Sequence, residues 1–142
     1  MKIILSILAL ICMCGCDKES KDFIYQEYQL PDKAGVLELN IETDKAVLIN
    51  DKAEFQSVFS NIPNAKPVDF KKYTLFLVKG VSTSGITEIE KTISNTDNKY
   101  TFTVSVKQNM TTVMESWYLA YIIPKTSEEN IILSVTYKSI YN

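Results

Sequence analysis

Only one stretch of the chain after residue 35 has the apolar spacing of a helix, and this restricts the fold. Its apolar residues recur at i, i+3, i+4 and i+7, which places them on one helix face: Phe55, Val58, Phe59 and Ile62. Asp51, with Glu54 three residues later, matches a capping box in its Asp form, and Pro63 just past the stripe is expected to end the helix. A parallel βαβ architecture needs a helix between successive strands. The pattern therefore favours antiparallel sheets.

The rest of this region is predicted to form strands, because apolar residues alternate with polar ones or occur in short runs between turn residues. Strands are expected at residues 37–41, 46–49, 73–78, 87–93, 100–106, 117–123 and 131–137. The segment 73–78 is apolar on both faces, which is typical of a central strand. A hairpin is expected around residues 95–98, and its second strand has four residues that should face inward: Tyr100, Phe102, Val104 and Val106.

The predicted fold class is α+β, a mainly antiparallel β-sheet or sandwich with one capped helix packed on it. Residues 23–30 form either an added edge strand or a linker. Residues 80–85 are small and are expected to form a loop.

The N-terminus has the pattern of a secretion signal. Lys2 precedes an apolar run over residues 3–11, about half of the roughly 20 residues that a bilayer span needs. The segment Met13-Cys14-Gly15-Cys16 resembles a lipobox, with a small residue directly before the cysteine, although Met13 stands where Leu is preferred. We expect a lipoprotein signal peptide over residues 1–15, cleaved between Gly15 and Cys16. The alternative is an ordinary leader that releases an unlipidated protein.

Lipidation of Cys16 would tether the mature chain to a membrane, because two or more acyl chains give stable anchoring. Residues 16–35 are then expected to form the lipidated cysteine and tether, and residues 36–142 a single β-rich domain. Asp17 resembles an inner-membrane retention signal of enteric bacteria. The acidic cluster over residues 17–19 also resembles the surface-export signals of Bacteroidetes-type lipoproteins. The second interpretation is favoured, so we expect the outer membrane, at its periplasmic or surface face.

The residue composition excludes several kinds of chemistry. Histidine is absent and the three cysteines all lie within residues 12–16, so the domain has no Ser-His or Cys-His pair, no imidazole or thiolate zinc site and no disulfide. All fifteen basic residues are Lys, and the net charge is −2. The chain has no arginine side chain to bind phosphate through two hydrogen bonds, and it has no net positive charge. Nucleic-acid binding is therefore not expected. We expect no cofactor, no metal and no enzymatic activity.

Two unusual catalytic arrangements remain open from the sequence. Two pairs bring a serine near a lysine: Ser105 with Lys107, and Ser134 with Lys138. Neither pair has the Ser-x-x-Lys spacing of one helix turn, so solvated surface pairs are the favoured interpretation. Glu88 and Glu90 fall on one face of a predicted strand and could act as acid and base, but a solvent-facing sheet surface is again favoured.

Three segments were considered as binding sites. Residues 95–98 contain Asn and Asp but lack the glycine and distal glutamate of a calcium loop, so a turn is predicted. The loop Gly80–Gly85 has no lysine after its second glycine and no following helix, so it does not match a P-loop. Trp117, Tyr118 and Tyr121 are candidates for an aromatic surface, since neighbours on a strand point to opposite faces.

The order of features resembles the C-terminal domain family of the PrcB-type protease-complex subunit. A strand and capped helix (residues 47–59) are followed by Val68-Asp69-Phe70 and an apolar strand to Val78, then Gly80, the turn Thr83-Ser84-Gly85-Ile86, a hairpin, and Tyr121-Ile122-Ile123-Pro124-Lys125. The resemblance covers about residues 46–137. Members typically have two consecutive glycines followed by Tyr in the turn, whereas this chain has Ser84-Gly85-Ile86.

This resemblance implies a non-catalytic domain that supports an exported serine protease, with no catalytic residues to carry over. The loop Ser82, Thr83, Ser84, Gly85 and Ile86 is its only motif that transfers residue by residue. The first functional hypothesis is a lipid-anchored accessory module that binds another exported protein. The second is a surface lipoprotein that binds a glycan or small ligand through Trp117, Tyr118 or Tyr121.

Overall fold

The computed structural model describes residues 25–31 and 39–141, and these form two packed β-sheets with one short helix. The elements in chain order are β1 (Gln26–Glu27), β2 (Ala46–Ile49), α1 (Lys52–Val58), β3 (Tyr73–Ser82), β4 (Ile86–Thr96), β5 (Lys99–Gln108), β6 (Glu115–Pro124), a 3₁₀ turn (Glu128–Asn130) and β7 (Ile131–Ser139). The α+β fold class and the sandwich arrangement predicted from the sequence are confirmed.

The first sheet has the strand order β1-β6-β3-β2, and all its pairs are antiparallel. Its central strand β3 pairs with β2 on one side and along its whole length with β6 on the other. The four residues Leu75, Phe76, Leu77 and Val78 are fully buried, because both faces of this sheet are covered. The central position predicted for this strand is therefore confirmed.

The second sheet has the order β4-β5-β7. The hairpin β4-β5 turns at Asp97 and Asn98, both with positive φ (52° and 62°), which is the conformation of a type I′ turn. Strand β7 pairs with β5 in parallel, because the chain crosses to the first sheet through β6 before it returns. The pairing of β5 with β7 is thus parallel, whereas the sequence predicts mainly antiparallel sheets.

Two apolar clusters hold the layers together. The first lies between the sheets, where the inward residues of β5 meet those of β3 and β6, and the rings of Phe76 and Phe102 stack with centroids 3.8 Å apart. All four β5 residues predicted to face inward are buried. The second cluster lies on the other face of the four-stranded sheet, under α1 and the segment that follows it.

Helix α1 begins as the sequence predicts. The Asp51 carboxylate accepts a hydrogen bond from Glu54 N (2.8 Å), and Glu54 Oε2 accepts one from Asn50 N (2.7 Å). The helix ends at Val58, one turn before Ile62, so Pro63 is not what stops it. Ile62 is nevertheless buried with Phe59 in the second cluster, and Phe55 and Val58 are partly buried against it.

The structure corrects three boundaries. Residues 80–82 continue β3 and only 83–85 form a loop, because Gly80, Val81 and Ser82 pair with β6. In the strand expected at 37–41, the described residues 39–41 are not in a strand, and residues 37–38 lie outside the described part. Residues 26–28 belong to the fold, since β1 pairs with β6 as an edge strand and Tyr28 is buried; this agrees with the edge-strand alternative for residues 23–30 and extends the packed region N-terminally beyond residue 36.

Candidate functional site: the distal cap

The loops at one end of the sandwich come together because the strands that precede them are long and in register. Strand β3 ends at Ser82 opposite Glu115, where β6 begins, and β4 begins beside the end of β5. Strand β7 runs parallel to β5, and Ile140 N donates to Gln108 O (3.0 Å) at the same end. We call residues 83–85, 109–114 and 140–141 the distal cap.

The two loops of the cap are joined by a dense set of hydrogen bonds. Gly85 N donates to both the carbonyl (3.3 Å) and the Oγ1 (3.2 Å) of Thr111, and Asn109 N donates to Gly85 O (2.9 Å). Ser82 Oγ donates to Ser84 O and accepts from Gln108 Nε2 (2.7 Å). These contacts fix both loops against each other, so the 82–86 motif has a conformational role.

Gly85 leaves room for the two side chains that contact it, and a larger residue would displace them. A Cβ atom on residue 85 would lie 2.4 Å from Thr111 Oγ1 and 2.7 Å from Asn109 Oδ1, well inside normal contact distance. At the other side of the motif, Ile86 N donates to the Glu115 carboxylate (2.5 Å). The motif thus ties the crossover between the sheets to the start of β6.

The cap exposes an unusual share of apolar surface. Of the eight large hydrophobic residues that are exposed in the described part of the chain, five lie here: Met110, Val113, Met114, Ile140 and Tyr141. Met110 and Met114 are the most exposed, at 79% and 76%. Grouped exposed apolar residues are typical of interaction sites, and Met suits binding surfaces because its side chain is flexible and polarizable.

Sequence reasoning missed the apolar residues of the cap. The segment Asn109–Met114 lies between two predicted strands and contains three large apolar residues and three polar ones. That combination in an inter-strand loop was the available signal. It carries no periodicity, so a search for strands and helices passes over it.

The aromatic residues considered for a ligand surface do not share one. Trp117 (4% exposed) and Tyr121 (2%) belong to the core between the sheets, whereas Tyr118 is half-buried on the opposite face of β6. Trp117 lies directly over Gly80, its register partner on β3, and its Nε1 donates to Tyr137 Oη (3.3 Å). The predicted split of neighbouring side chains between faces is confirmed.

The predicted carboxylate pair lies on the solvent-facing surface of the three-stranded sheet. Lys107 Nζ lies 2.8 Å from Glu88 Oε2 and 2.6 Å from Glu90 Oε1, so one ammonium serves both acids. The hydrogen bond and charge of Lys107 lower the pKa of Glu90, and the two carboxylates raise the pKa of Lys107 well above its usual range. Both glutamates are thus paired with one ammonium on an exposed sheet surface.

In neither of the two Ser-Lys pairs does the serine hydroxyl contact the lysine ammonium. Ser105 Oγ is buried and has no hydrogen-bond partner among the described groups, while the Lys107 ammonium is engaged by the two glutamates. Ser134 and Lys138 lie four residues apart on β7, a separation of about 13 Å along a strand. The 95–98 segment forms the hairpin turn, as predicted. Among the described residues, no three His, Cys, Asp or Glu side chains cluster as metal ligands would.

A polar concavity of about 500 Å³ lies at the end opposite the cap, lined by the side chains of Asn98, Tyr100, Lys125, Thr126, Ser127 and Asn130. Its one cation is already used in the fold, since Lys125 Nζ donates to the carbonyls of Asn50 (2.5 Å) and Phe70 (2.8 Å). Within residues 25–31 and 39–141, no helix has the length and apolar character needed to cross a bilayer.

Comparison with known proteins adds no relative: the chain matches no protein-family model, no curated protein and no solved structure. The candidate site is therefore defined by its geometry and exposure alone.

Proposed function

We propose that this protein is a non-catalytic, lipid-anchored module of the cell envelope that binds another exported protein through the distal cap. The observation that carries the proposal is the concentration of exposed apolar side chains on residues 109–114 and 140–141, next to backbone hydrogen bonds that attach these segments to the fold. A rigid apolar loop loses little conformational entropy on binding, which favours affinity. The resemblance to the PrcB-type family supports an exported protease as the partner.

The position of the chain's N-terminal end supports a protein partner over insertion of the cap into the bilayer. Strand β1 pairs with Ile122 and Tyr121 near the end of β6, whereas the cap adjoins the start of β6. Gln26 pairs with Ile122, seven residues from Glu115, so β1 lies roughly 23 Å from the cap end of β6. Because β1 runs antiparallel to β6, the chain enters β1 from the side away from the cap. We therefore expect a lipid on Cys16 to direct the cap away from its own membrane.

The expected energetic contribution of the cap can be estimated from its methionines. Full burial of one Met side chain contributes about 1.5–3 kcal/mol, which corresponds to roughly 10- to 100-fold in Kd. Because Met110 and Met114 are 79% and 76% exposed, a partner could cover most of each side chain. Loss of both should weaken binding by at least about 100-fold.

The test is affinity capture with crosslinking from native membranes. We expect the full-length chain to recover one discrete protein, and the double variant Met110→Ser, Met114→Ser to lose it. The control is Tyr73→Ser, which removes an exposed apolar residue at the opposite end of β3. Equal recovery by the cap variant and the control would contradict the proposal.

The anchoring part has its own test, because it concerns residues outside the described part. Mass spectrometry of the mature protein should find an acylated Cys16 as the first residue. An unlipidated N-terminus would contradict the anchoring and leave the cap proposal standing. Glycan binding by Trp117, Tyr118 or Tyr121 is not favoured by their burial, and unchanged tryptophan fluorescence across a panel of oligosaccharides would remove that alternative.

A further inference from the structure

The edges of the two sheets differ in how far they are protected against pairing with another chain. Strand β1 has two residues and β2 has four, too few to guide a long partner strand. The β4 edge is longer, but its register shifts between Ile86 and Glu88, and Lys91 occupies an inward-facing position opposite Val104. Short strands, bulges and inward charges are among the devices that block edge pairing.

Strand β7 has none of these devices. Its nine residues pair with β5 in unbroken register from Ile131 to Ser139, and they include no proline, glycine or inward-facing charge. Within the described part of the chain, β5 is the only strand that pairs with β7. In a strand paired on one side, alternate residues direct their N–H and C=O groups away from the sheet.

The core beneath β7 is also incompletely covered. Its inward residues are only partly buried, whereas their β5 partners Tyr100, Phe102, Val104 and Val106 are buried. The partly buried residues are Ile131, Leu133, Val135 and Tyr137. The three-stranded sheet is one strand narrower than the sheet that it faces, so a fourth strand beside β7 would cover these side chains.

The charges on the outer surface indicate what such a strand should carry. Lys107 and Lys138 are register partners on β5 and β7, and Lys107 is engaged by Glu88 and Glu90 on its β4 side. Lys138 is exposed, its charge acts on Glu90 two strands away, and in the described part of the chain no strand beyond β7 places an acidic residue beside it. A carboxylate at the position opposite Lys138 would pair with it, since opposite charges across neighbouring strands are stabilising.

We infer that the free edge of β7 accepts an extended segment of a partner protein as a fourth strand. The segment has apolar residues at alternate positions, which cover Leu133 and Val135, and an acidic residue opposite Lys138. Main-chain hydrogen bonds supply affinity and the alternate side chains supply specificity, as in other cases of strand addition. This site adjoins the distal cap at the end of β7 but consists of the strand edge, and the inference does not depend on the function proposed for the cap.

The test uses a synthetic nine-residue peptide, Val-Glu-Val-Thr-Val-Thr-Val-Thr-Val, whose Glu falls opposite Lys138 in antiparallel pairing. A second peptide has Lys in place of Glu. In the free full-length protein, alternate β7 amides should exchange rapidly with solvent, and the Glu peptide should protect them. Wild type should bind the Glu peptide roughly two- to fivefold more tightly than the Lys peptide, and Lys138→Glu should reverse that order.

The matched control is Lys99→Glu, which makes the same charge change at the opposite end of β5 and should keep the wild-type preference. Both substitutions are at exposed positions, so the fold should persist. Three results would overturn the inference: β7 amides that are all protected in the free protein, β7 amides that the Glu peptide leaves unprotected, or a peptide preference that Lys138→Glu does not reverse.

Discussion

Substitution of Gly80 by alanine should displace the tryptophan that closes the core. A Cβ on residue 80 would lie 2.0 Å from Cε2 of Trp117, while carbon atoms in contact are separated by about 3.5–4.0 Å. The indole must therefore move by about 1.5 Å. It is 4% exposed, and the face opposite Gly80 is packed within the core between the sheets.

The size of the effect follows from two opposing terms. Gly→Ala at an unstrained position stabilises by about 0.4–1 kcal/mol through the unfolded state. Overpacking of a core costs about 1–3 kcal/mol, and displacement of the indole also weakens its hydrogen bond to Tyr137 Oη. The clash should win, with a net loss of about 1–2 kcal/mol. For a domain of this size, that corresponds to a fall in Tm of about 4–10 °C.

The assay is direct because Trp117 is the only tryptophan in the chain. Gly80→Ala should lower the denaturation midpoint and shift the emission of Trp117 to longer wavelength. Gly85→Ala is the control, since its Cβ meets the Thr111 and Asn109 side chains and not the indole, so the emission should stay unchanged. A Gly80→Ala protein with wild-type emission and midpoint would refute the packing described for this strand pair.

Three further perturbations have defined outcomes. Asp51→Ala should cost about 1 kcal/mol in the free energy of unfolding by urea denaturation, because it removes the α1 N-cap; an unchanged midpoint would show that the cap is dispensable. Burial and, second to it, the hydrogen bond to Asp44 raise the pKa of the Tyr137 hydroxyl to about 12. The folded state then keeps a proton that the unfolded state loses near pH 10, so stability should fall between pH 10 and 12, and less so in Tyr137→Phe; equal losses of Tm over that range in both proteins would contradict this. Lys91→Met should increase proteolysis near residue 27, because Lys91 Nζ lies 3.3 Å from Glu27 Oε1 and holds β1 to the second sheet; the same cleavage rate as wild type would argue against that contact.

The sequence was informative where side-chain periodicity and burial coincide. The alternation in β5 and the doubly apolar β3 each require a particular face to be buried, and each is buried as predicted; the stripe of α1 packs on the second cluster, with Phe59 and Ile62 buried and Phe55 and Val58 partly buried. The hairpin turn was also predictable, because Asp97 and Asn98 tolerate positive φ.

Other features depend on long-range pairing that no local pattern specifies. The parallel alignment of β7 with β5 follows from the crossover through β6, which is a property of the whole chain. Gly80 was assigned to a loop because glycine usually favours one, yet here it makes room for an indole across the sheet. The distal cap was not predicted, since exposure of Met110 and Met114 is decided by where the loops end up.

Photo-crosslinking within the native envelope tests the central claim most directly. A photoreactive amino acid would replace either Val113 in the cap or Asn98 in the hairpin turn, which lie at opposite ends of β5. A cap that binds a partner away from the membrane should give crosslinks from position 113 to one discrete protein, and none to that protein from position 98. Crosslinks from position 113 to lipid alone, or to the partner only from position 98, would contradict it.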